Sequence, residues 1–278
     1  MNERPERTEG GLGTQWDSVR EARLPGRPKP QDFVAALVDD FIELHGDRLF
    51  GDDRAVIAGV GRFEGIPVTA IGTRKGHDFS ENLRDNFGMP HPEGYRKALR
   101  LMRQAAKFRR PVLLFVDTPG AYAGIAAEER GVHLAISENL FEMSDLATPT
   151  LSVVTGEGGS GGALALAFCD RVLMLESAWY SVISPEGCAS ILLKDAALAP
   201  EAASRLKLDA AHALEFGLID GVVPDGEILS APQTVYDALR ARIRAELAEL
   251  RALPPEELVE RRYAKYRAMG VVRRDPEQ

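Results

Sequence analysis

The most distinctive chemical feature of the sequence is a glycine-rich run at residues 156–162, Gly-Glu-Gly-Gly-Ser-Gly-Gly. It follows residues 150–154, Thr-Leu-Ser-Val-Val, which predict a buried strand, and precedes a short alanine- and leucine-rich segment typical of a helix. Glycines let a ligand approach bare backbone N–H groups, and the first turn of a helix adds a partial positive charge. The run could therefore stabilise an oxyanion without any ionisable side chain.

A second interpretation of the same run is a dinucleotide-binding loop. Gly156, Gly158 and Gly161 fit the spacing G-x-G-x-x-G, and Glu176 stands where that motif places a ribose-binding acid. The helix expected after Gly162 has only about two turns, which is short for the crossover of such a fold. A P-loop is excluded because Gly162 stands where that motif requires lysine. A glycine turn with a purely structural role is the third interpretation, and we favour the oxyanion or acyl-binding loop.

A second candidate segment is Asp117-Thr-Pro-Gly-Ala-Tyr-Ala-Gly124, which follows the apolar residues 112–116. Taken alone, it predicts a tight turn in which Asp117 caps a helix. Neighbouring parallel strands, however, deliver the loops at their carboxyl ends to one crevice. We therefore expect this segment and the glycine run to form a single site.

The elements that must position these segments follow from apolar periodicity and turn residues. Residues 56–60 and 67–71 predict a hairpin joined through Phe63-Glu64-Gly65, and residues 93–108 predict a helix. Phe33, Leu37, Phe41 and Leu44 recur at helical spacing, which predicts one helix that ends at His45-Gly46. Helices are also predicted at residues 128–145 and in the segment 208–217, and further strands at 171–176 and 180–183.

Continuous apolar strands that alternate with helices predict an α/β fold whose parallel sheet is buried on both faces. The chain divides into three parts on this basis. Residues 1–30, rich in charge, glycine and proline, predict a flexible N-terminal arm; residues 31–234 form the main domain; and residues 235–278 form a C-terminal helical extension broken at Pro254-Pro255.

Composition excludes several classes of protein. The net charge of −8 argues against binding that relies on phosphate contacts, so neither nucleic acid nor anionic lipid is an expected partner. No run of about 18 apolar residues is present, and the N-terminus lacks the apolar core of a signal peptide, so we expect a cytoplasmic protein. Cys169 and Cys188 are too few for a four-cysteine zinc site, and we expect both to be small buried residues.

Several long motifs in one order resemble a known family. They are Asn86-Phe-Gly-Met-Pro90, Pro92-Glu-Gly-Tyr-Arg-Lys-Ala-Leu-Arg-Leu101, Asp117-Thr-Pro-Gly-Ala-Tyr122, Ala127-Glu-Glu-Arg-Gly131, Gly156-Glu-Gly-Gly-Ser-Gly-Gly-Ala-Leu164, and Tyr180-Ser-Val-Ile-Ser-Pro-Glu-Gly-Cys-Ala-Ser-Ile-Leu192. The segment 208–224 resembles a pattern found late in crotonase-type proteins. Together, over about residues 30–270, they resemble the carboxyltransferase alpha subunit of bacterial acetyl-CoA carboxylase.

The resemblance implies a crotonase-like (ClpP/crotonase) fold, a ββα superhelix with flanking C-terminal helices. It implies transfer of the carboxyl group of carboxybiotin to acetyl-CoA, which forms malonyl-CoA in the first committed step of fatty acid biosynthesis. Biotin would be bound to a separate biotin carboxyl carrier protein, and not to this chain. Biotin carboxylase would carboxylate the biotin on that carrier. The implied assembly is α2β2, with a beta subunit that holds acyl-CoA and a four-cysteine zinc site, so no metal is expected on this chain.

Carried over residue by residue, the family's oxyanion pair falls on the backbone N–H groups of Gly161 and Gly162. The resemblance also implies that a set of active-site loop residues binds carboxybiotin: Gly120, Ala121, Tyr122, Gly158 and Gly159. No protein nucleophile is needed. We expect structural roles for His133 and His212, and expect Glu157 and Glu186 to cap or orient loops.

The sequence departs from the family at three places. The N-terminal region is short, residues 73–82 are less basic than is usual, and Tyr122-Ala-Gly124 stands where Tyr-Pro-Gly is usual. Two functional alternatives accompany the main one. The first is a related decarboxylase or carboxyltransferase subunit with another acyl-CoA, such as a propionyl-type enzyme, and the second is a non-catalytic scaffold subunit.

Overall fold

The computed structural model describes residues 7–8, 11–12 and 14–270, and the first part of the chain builds one side of the sheet. The short strands β1 (Arg7–Thr8) and β2 (Gly11–Leu12) pair with each other. The elements that follow are α1 (Gln15–Ala22), α2 (Pro30–Leu37), β3 (Asp39–Glu43), β4 (Val56–Phe63), β5 (Ile66–Thr73), α3 (Phe79–Arg84), a 3-10 turn (Asn86–Gly88) and α4 (Pro92–Lys107).

The rest of the chain alternates strands with helices and ends in two long helices. Its elements are β6 (Val112–Thr118), α5 (Ile125–Glu129), α6 (Val132–Ser144), β7 (Thr150–Gly159), α7 (Ser160–Ala167), β8 (Arg171–Leu175), β9 (Trp179–Ser181), α8 (Pro185–Cys188), a π-helical turn (Ala189–Leu193), a 3-10 turn (Ala196–Leu198), α9 (Ala199–Leu206), α10 (Ala210–Glu215), β10 (Gly221–Val223), α11 (Pro232–Arg251) and α12 (Pro255–Ala268).

The main sheet has the strand order β10-β8-β7-β6-β5-β4-β3, and β9 pairs with the end of β7. The strands β5, β6, β7, β8 and β10 are parallel, while β3 and β4 are antiparallel to their neighbours. Every residue of β6 and β7 is buried, as the continuous apolar runs predicted for a sheet covered on both faces. The α/β prediction and the parallel sheet are confirmed.

Local sequence signals placed several elements correctly. The predicted hairpin is β4 and β5, and its two-residue turn, Glu64-Gly65, has positive φ at both positions, as a type I′ turn requires. The predicted helix at residues 93–108 is α4, and the C-terminal helices break at Pro254. Gly217 has φ +69 and follows the C-terminus of α10, where a left-handed residue ends a helix.

The prediction of one helix from Phe33 to Leu44 is wrong. The helix α2 ends at Leu37, and β3 then pairs with β4 through an irregularity at Asp40, whose φ is +51. Phe41 and Leu44 still pack against the core, but from an edge strand and the residue after it. The apolar spacing of these residues is compatible with a helix and with a strand. Residues 39–43 form a strand because the backbone groups at the edge of β4 need hydrogen-bond partners.

The N-terminal segment also differs from its prediction where it is described. Of the predicted arm, residues 1–6, 9–10 and 13 lie outside the described residues, while residues 14–30 form α1 and an ordered connection to α2. Val19 and Ala22 are fully buried in a small cluster against Trp179, and Arg27 is buried where it donates to the carbonyl oxygen of Thr155. Residues 14–30 are therefore part of the packed fold, close to the glycine run.

Two further elements have boundaries that differ from the sequence prediction. The helix predicted at residues 128–145 is two helices, because Gly131 adopts φ +78 between α5 and α6. The strand predicted at residues 150–154 continues to Gly159, so the first four residues of the glycine run extend β7 instead of forming a loop. The helix α7 begins only at Ser160, where the chain changes direction. The position of the boundary between β7 and α7 therefore decides which glycines can reach a ligand.

Candidate active site

The two candidate segments lie side by side because β6 and β7 are parallel neighbours. Val116 pairs with Val154 and Thr118 with Gly158, with an irregularity in register between these pairs. The turn at residues 119–122 and the start of α7 at residues 160–162 therefore leave the same edge of the sheet. The prediction that both segments share one crevice is confirmed.

The glycines of the run differ in the space around them: some allow close packing of neighbouring backbone, and one has free space beside it. A Cβ on Gly159 would lie 2.1 Å from the carbonyl oxygen of Pro119, and a Cβ on Gly162 would lie 2.4 Å from the nitrogen of Ala121. At Gly161 the nearest atom would be Cγ2 of Ile136, at 3.8 Å. Gly159 and Gly162 thus let β7 and α7 contact the turn directly, whereas Gly161 faces open space.

A cavity of about 540 Å³ lies over these segments. Its walls are residues 119–123, one face of α6, and residues 182–184, and Ser160, Gly161 and Gly162 complete the lining. A smaller, more apolar cavity of about 240 Å³ adjoins it and shares Ser160, Gly161 and Val182. The first volume is within the range of small-molecule sites, roughly 300–1,000 Å³.

The structure brings some of the predicted site residues to this cavity and not others. Gly120, Ala121, Tyr122, Gly161 and Gly162 line it. Gly158 and Gly159 do not, because both are buried within β7, and a Cβ on Gly158 would collide with the carbonyl oxygen of Trp179 at 2.7 Å. The sequence did not place Gly158 and Gly159 in the strand because glycine is unfavourable in strand interiors, and a glycine-rich run is more typical of a loop.

The start of α7 lines the cavity and contains backbone N–H groups without a helical partner. The first N–H groups of a helix have no carbonyl partner within the helix, and they carry the positive end of its dipole. Gly161 and Gly162 are the second and third residues of α7. Ser160 turns the chain from strand to helix with φ +54, and its exposed side chain borders both cavities.

This geometry does not support the dinucleotide interpretation. Gly156 lies inside β7, where a Cβ would be 2.6 Å from Cγ of Asp117. Gly158 lies in the same strand. Two of the three glycines of the G-x-G-x-x-G spacing therefore pack the sheet and do not form a phosphate-binding loop.

A buried ion cluster lies behind the two segments. Nζ of Lys75, at the end of β5, contacts Oδ1 of Asp117 at 3.0 Å and Oε2 of Glu157 at 2.5 Å. Burial would lower the pKa of Lys75, but the two carboxylates outweigh burial and raise it. Burial would raise the pKa of Asp117, but Lys75 and Lys29 outweigh burial and lower it. Lys75 and Asp117 therefore remain charged near neutral pH.

Sequence reasoning missed Lys75, although one signal pointed to it. Lys75 follows β5, and ligand- and site-shaping residues of parallel sheets lie beyond the carboxyl ends of the strands. Tyr95 was missed as well: its hydroxyl is fully buried, has no hydrogen-bond partner among the described residues, and lies 2.8 Å from the position of a Cβ on Gly162. Burial raises the pKa of Tyr95, so it is a neutral wall behind the glycines.

The histidines have different positions. His133 lines the cavity and contacts Glu128 at 2.9 Å, but its side chain is 78% exposed. His212 lies elsewhere, paired with Asp209 at 2.7 Å in α10. Cys169 and Cys188 are buried and unpaired, as predicted, and burial raises the pKa of Cys169 to about 12.

Two further observations concern metals and membranes. Within residues 14–270 and the two short strands before them, no group of three or more His, Cys, Asp or Glu side chains is placed to hold a metal ion. None of the helices in the described part of the chain combines the length and the apolar character needed to cross a membrane.

The fold is shared with solved carboxyltransferases and decarboxylases. Transcarboxylase 12S matches with a TM-score of 0.67 at 18% identity, covering 91% of this chain and 44% of that one, so this chain spans less than half of its length. The Pseudomonas malonate decarboxylase MdcD-MdcE hetero-dimer matches with a TM-score of 0.62 at 19% identity, covering 77% of this chain and 88% of that one. These likenesses define the class by its fold alone, the crotonase-like fold that the sequence predicted.

Sequence similarity identifies the family within this class. Residues 9–270 match the family described as acetyl co-enzyme A carboxylase carboxyltransferase-like. The acetyl-coenzyme A carboxylase carboxyl transferase subunit alpha of Alkaliphilus oremlandii is 54% identical over 92% of this chain and 82% of that protein. The subunit of the same name from Listeria monocytogenes is 51% identical over 93% and 82%. The chain belongs to this family, as its motifs predicted.

Proposed function

We propose that this chain is the alpha-type half of a two-subunit enzyme that transfers the carboxyl group of carboxybiotin to acetyl-CoA and forms malonyl-CoA. The observation that carries the proposal is that Gly161 and Gly162, in the first turn of α7, line a 540 Å³ cavity in a chain of the acetyl-CoA carboxylase carboxyltransferase family. The cavity has the size of a small-molecule site, and the space beside Gly161 leaves room there for part of a ligand such as biotin.

When bound, carboxybiotin supplies the carboxyl group that is transferred. The N–H groups of Gly161 and Gly162 would donate hydrogen bonds to its ureido oxygen and hold that oxygen as negative charge develops on it. The helix dipole of α7 would add to the stabilisation, and Gly162 is already fixed against the backbone of the turn at Gly120 and Ala121. Gly120, Ala121 and Tyr122 would form the wall that orients the ring.

Exposed apolar side chains around the cavity support the need for a partner. Ile125, Leu134 and Phe141 of α5 and α6 are 79%, 63% and 77% exposed, and Val182 at the cavity wall is 76% exposed. Large exposed apolar groups next to a site are typical of an interaction surface. We propose that the beta subunit, with its zinc site and acyl-CoA, covers this surface in an α2β2 complex.

Further parts of the proposal concern the carrier and the compartment. Biotin would arrive on a separate biotin carboxyl carrier protein, and biotin carboxylase would carboxylate the biotin on that carrier. The compartment we propose is the cytoplasm, which is compatible with the two unpaired thiols of Cys169 and Cys188.

The test is an assay of the purified chain with and without its natural beta partner. Carboxylated carrier protein and acetyl-CoA are supplied, and malonyl-CoA is measured. We expect turnover only in the assembled complex, because this chain provides one half of the site. Comparable turnover by the isolated chain would refute the two-subunit assignment. Turnover by the complex with propionyl-CoA but not acetyl-CoA would move the assignment to a related acyl-CoA carboxylase.

A further inference from the structure

Arg23 connects two walls of the cavity from outside. It lies just after α1, in the segment predicted to be flexible. Its Nε contacts Oε1 of Glu157 at 2.7 Å, and its Nη1 contacts Oε1 of Glu186 at 2.6 Å. Glu157 directly precedes Gly158 in β7, and Glu186 lies in α8, next to residues 182–184 of the cavity wall.

The contacts continue from Glu157 to the third wall. Lys75 bridges Glu157 and Asp117, and Oδ1 of Asp117 also accepts the backbone N–H of Glu157 at 2.9 Å. Asp117 directly precedes residues 118–120 and lies where the register of β6 and β7 shifts. Three walls are thus joined by one run of alternating charges: Asp117, Lys75, Glu157, Arg23 and Glu186.

We propose that these five residues, the wall network, position the turn at residues 119–122, the start of α7 and residues 182–184 relative to one another for carboxyl transfer. None of the five lines the cavity, so each would act as a positioning residue. The inference rests on the proposed function for its kinetic consequence. Its structural consequence, that Arg23 orders all three walls, is independent of the reaction.

The chemistry of the network favours positioning over simple stabilisation. The pairs around Lys75 contribute little net stability because desolvation offsets their attraction, and solvent screens the partly exposed pair of Arg23 with Glu186. Their directional contacts can nevertheless select one geometry. The arginine is suited to this role because its planar group holds two carboxylates at fixed angles. Catalysis is sensitive to such geometry, since a displacement of about 1 Å can reduce the rate roughly 10²-fold.

The test uses Arg23→Gln in the assembled two-subunit enzyme, with Arg171→Gln as the matched control. Arg171 also bridges two carboxylates, Glu246 and Glu249, and its side chain is 29% exposed against 34% for Arg23. It lies at the start of β8, away from the cavity. We expect both variants to lower Tm slightly and equally, while only Arg23→Gln reduces kcat, by about 10- to 100-fold with KM nearly unchanged.

Two additional measurements complete the test. Arg23→Lys should recover part of the lost kcat, because a cation still reaches Glu157. Amide hydrogen exchange in Arg23→Gln should accelerate at residues 120–122, 160–162 and 182–184, and should stay unchanged there in Arg171→Gln.

Equal kcat values for the two glutamine variants, or unchanged amide exchange at all three walls in Arg23→Gln, would overturn the network. An inactive wild-type complex would instead refute the proposed function, and the exchange pattern would still decide whether Arg23 orders the walls.

Discussion

Gly161 and Gly162 are neighbours in the sequence, yet their surroundings assign them different tasks. Gly162 is in contact with the backbone of Gly120 and Ala121, and no side chain fits there. Gly161 faces the cavity, and a Cβ added to it would have only Ile136 within 4 Å. A residue of the first kind holds the fold together, and one of the second kind leaves room for a ligand.

At this scale we predict that Gly161→Val reduces kcat of the assembled enzyme by about 10²–10³-fold. The side chain would enter the cavity beside the N–H donors, so the effect should fall on turnover. Tm and binding of the beta subunit should stay close to wild type, because a Cβ at Gly161 meets no close neighbour. The measurements are kcat, Tm and complex formation on one preparation.

Gly162→Ala is the contrasting variant. Its Cβ would lie 2.4 Å from the nitrogen of Ala121, so stability or assembly should fail before catalysis can be measured. Near-normal turnover in a folded, assembled Gly161→Val enzyme would contradict the donor role.

Among the elements, α12 is attached to the domain by a buried arginine in addition to the apolar contacts of Leu258 and Tyr266. Arg262 is fully buried, pairs with Asp170 at 2.8 Å, and donates to the carbonyl oxygens of Leu146 and Thr148. These carbonyls belong to the connection between α6 and β7. The helix α12 therefore stabilises the far end of the strand that leads to the glycines, not the site itself.

We expect Arg262→Met to lower the free energy of unfolding by about 3–5 kcal/mol, since it leaves the Asp170 carboxylate buried without its partner. Arg261→Met in the same helix is the control, because Arg261 is exposed and its ion pair is with Glu257, one turn away. Its effect should be about 0.5 kcal/mol or less. Urea unfolding measures both, and similar losses for the two variants would show that α12 is attached in another way.

At the scale of the whole molecule, the cavity lies on the surface and the sequence has no lysine of the biotin-carrying kind. Biotin-accepting lysines lie in Met-Lys hairpin tips, and no lysine in this sequence follows a methionine. Exposed apolar groups lie instead on α5 and α6, which contribute to the lining of the cavity, and at Val182 in its wall. Both features favour a subunit that receives its substrates from other proteins.

We therefore expect the natively expressed chain to carry no covalent biotin. Its intact mass spectrum should show no species heavier by the mass of a biotin adduct, with a biotinylated carrier protein measured alongside as the positive control. An adduct of the mass of biotin would show that this chain is itself a carrier and would change the proposed assembly.

Local patterns were sufficient for much of this protein. The hairpin β4–β5, the helix α4 and the buried strands β6 and β7 follow from turn residues and apolar runs that act over a few neighbours. The ordered motifs were specific enough to indicate the family. The meeting of the two glycine segments also followed, because parallel neighbours must end at one edge.

Tertiary structure decided what local patterns left open. Residues 39–43 became a strand because the edge of β4 needed partners, and Gly158 and Gly159 became part of β7 because Trp179 and Pro119 pack directly on them. Arg23 meets Glu157 across 134 residues of sequence. Charges so far apart carry no periodic signal, and they come together only when folding buries them and each requires an opposite charge.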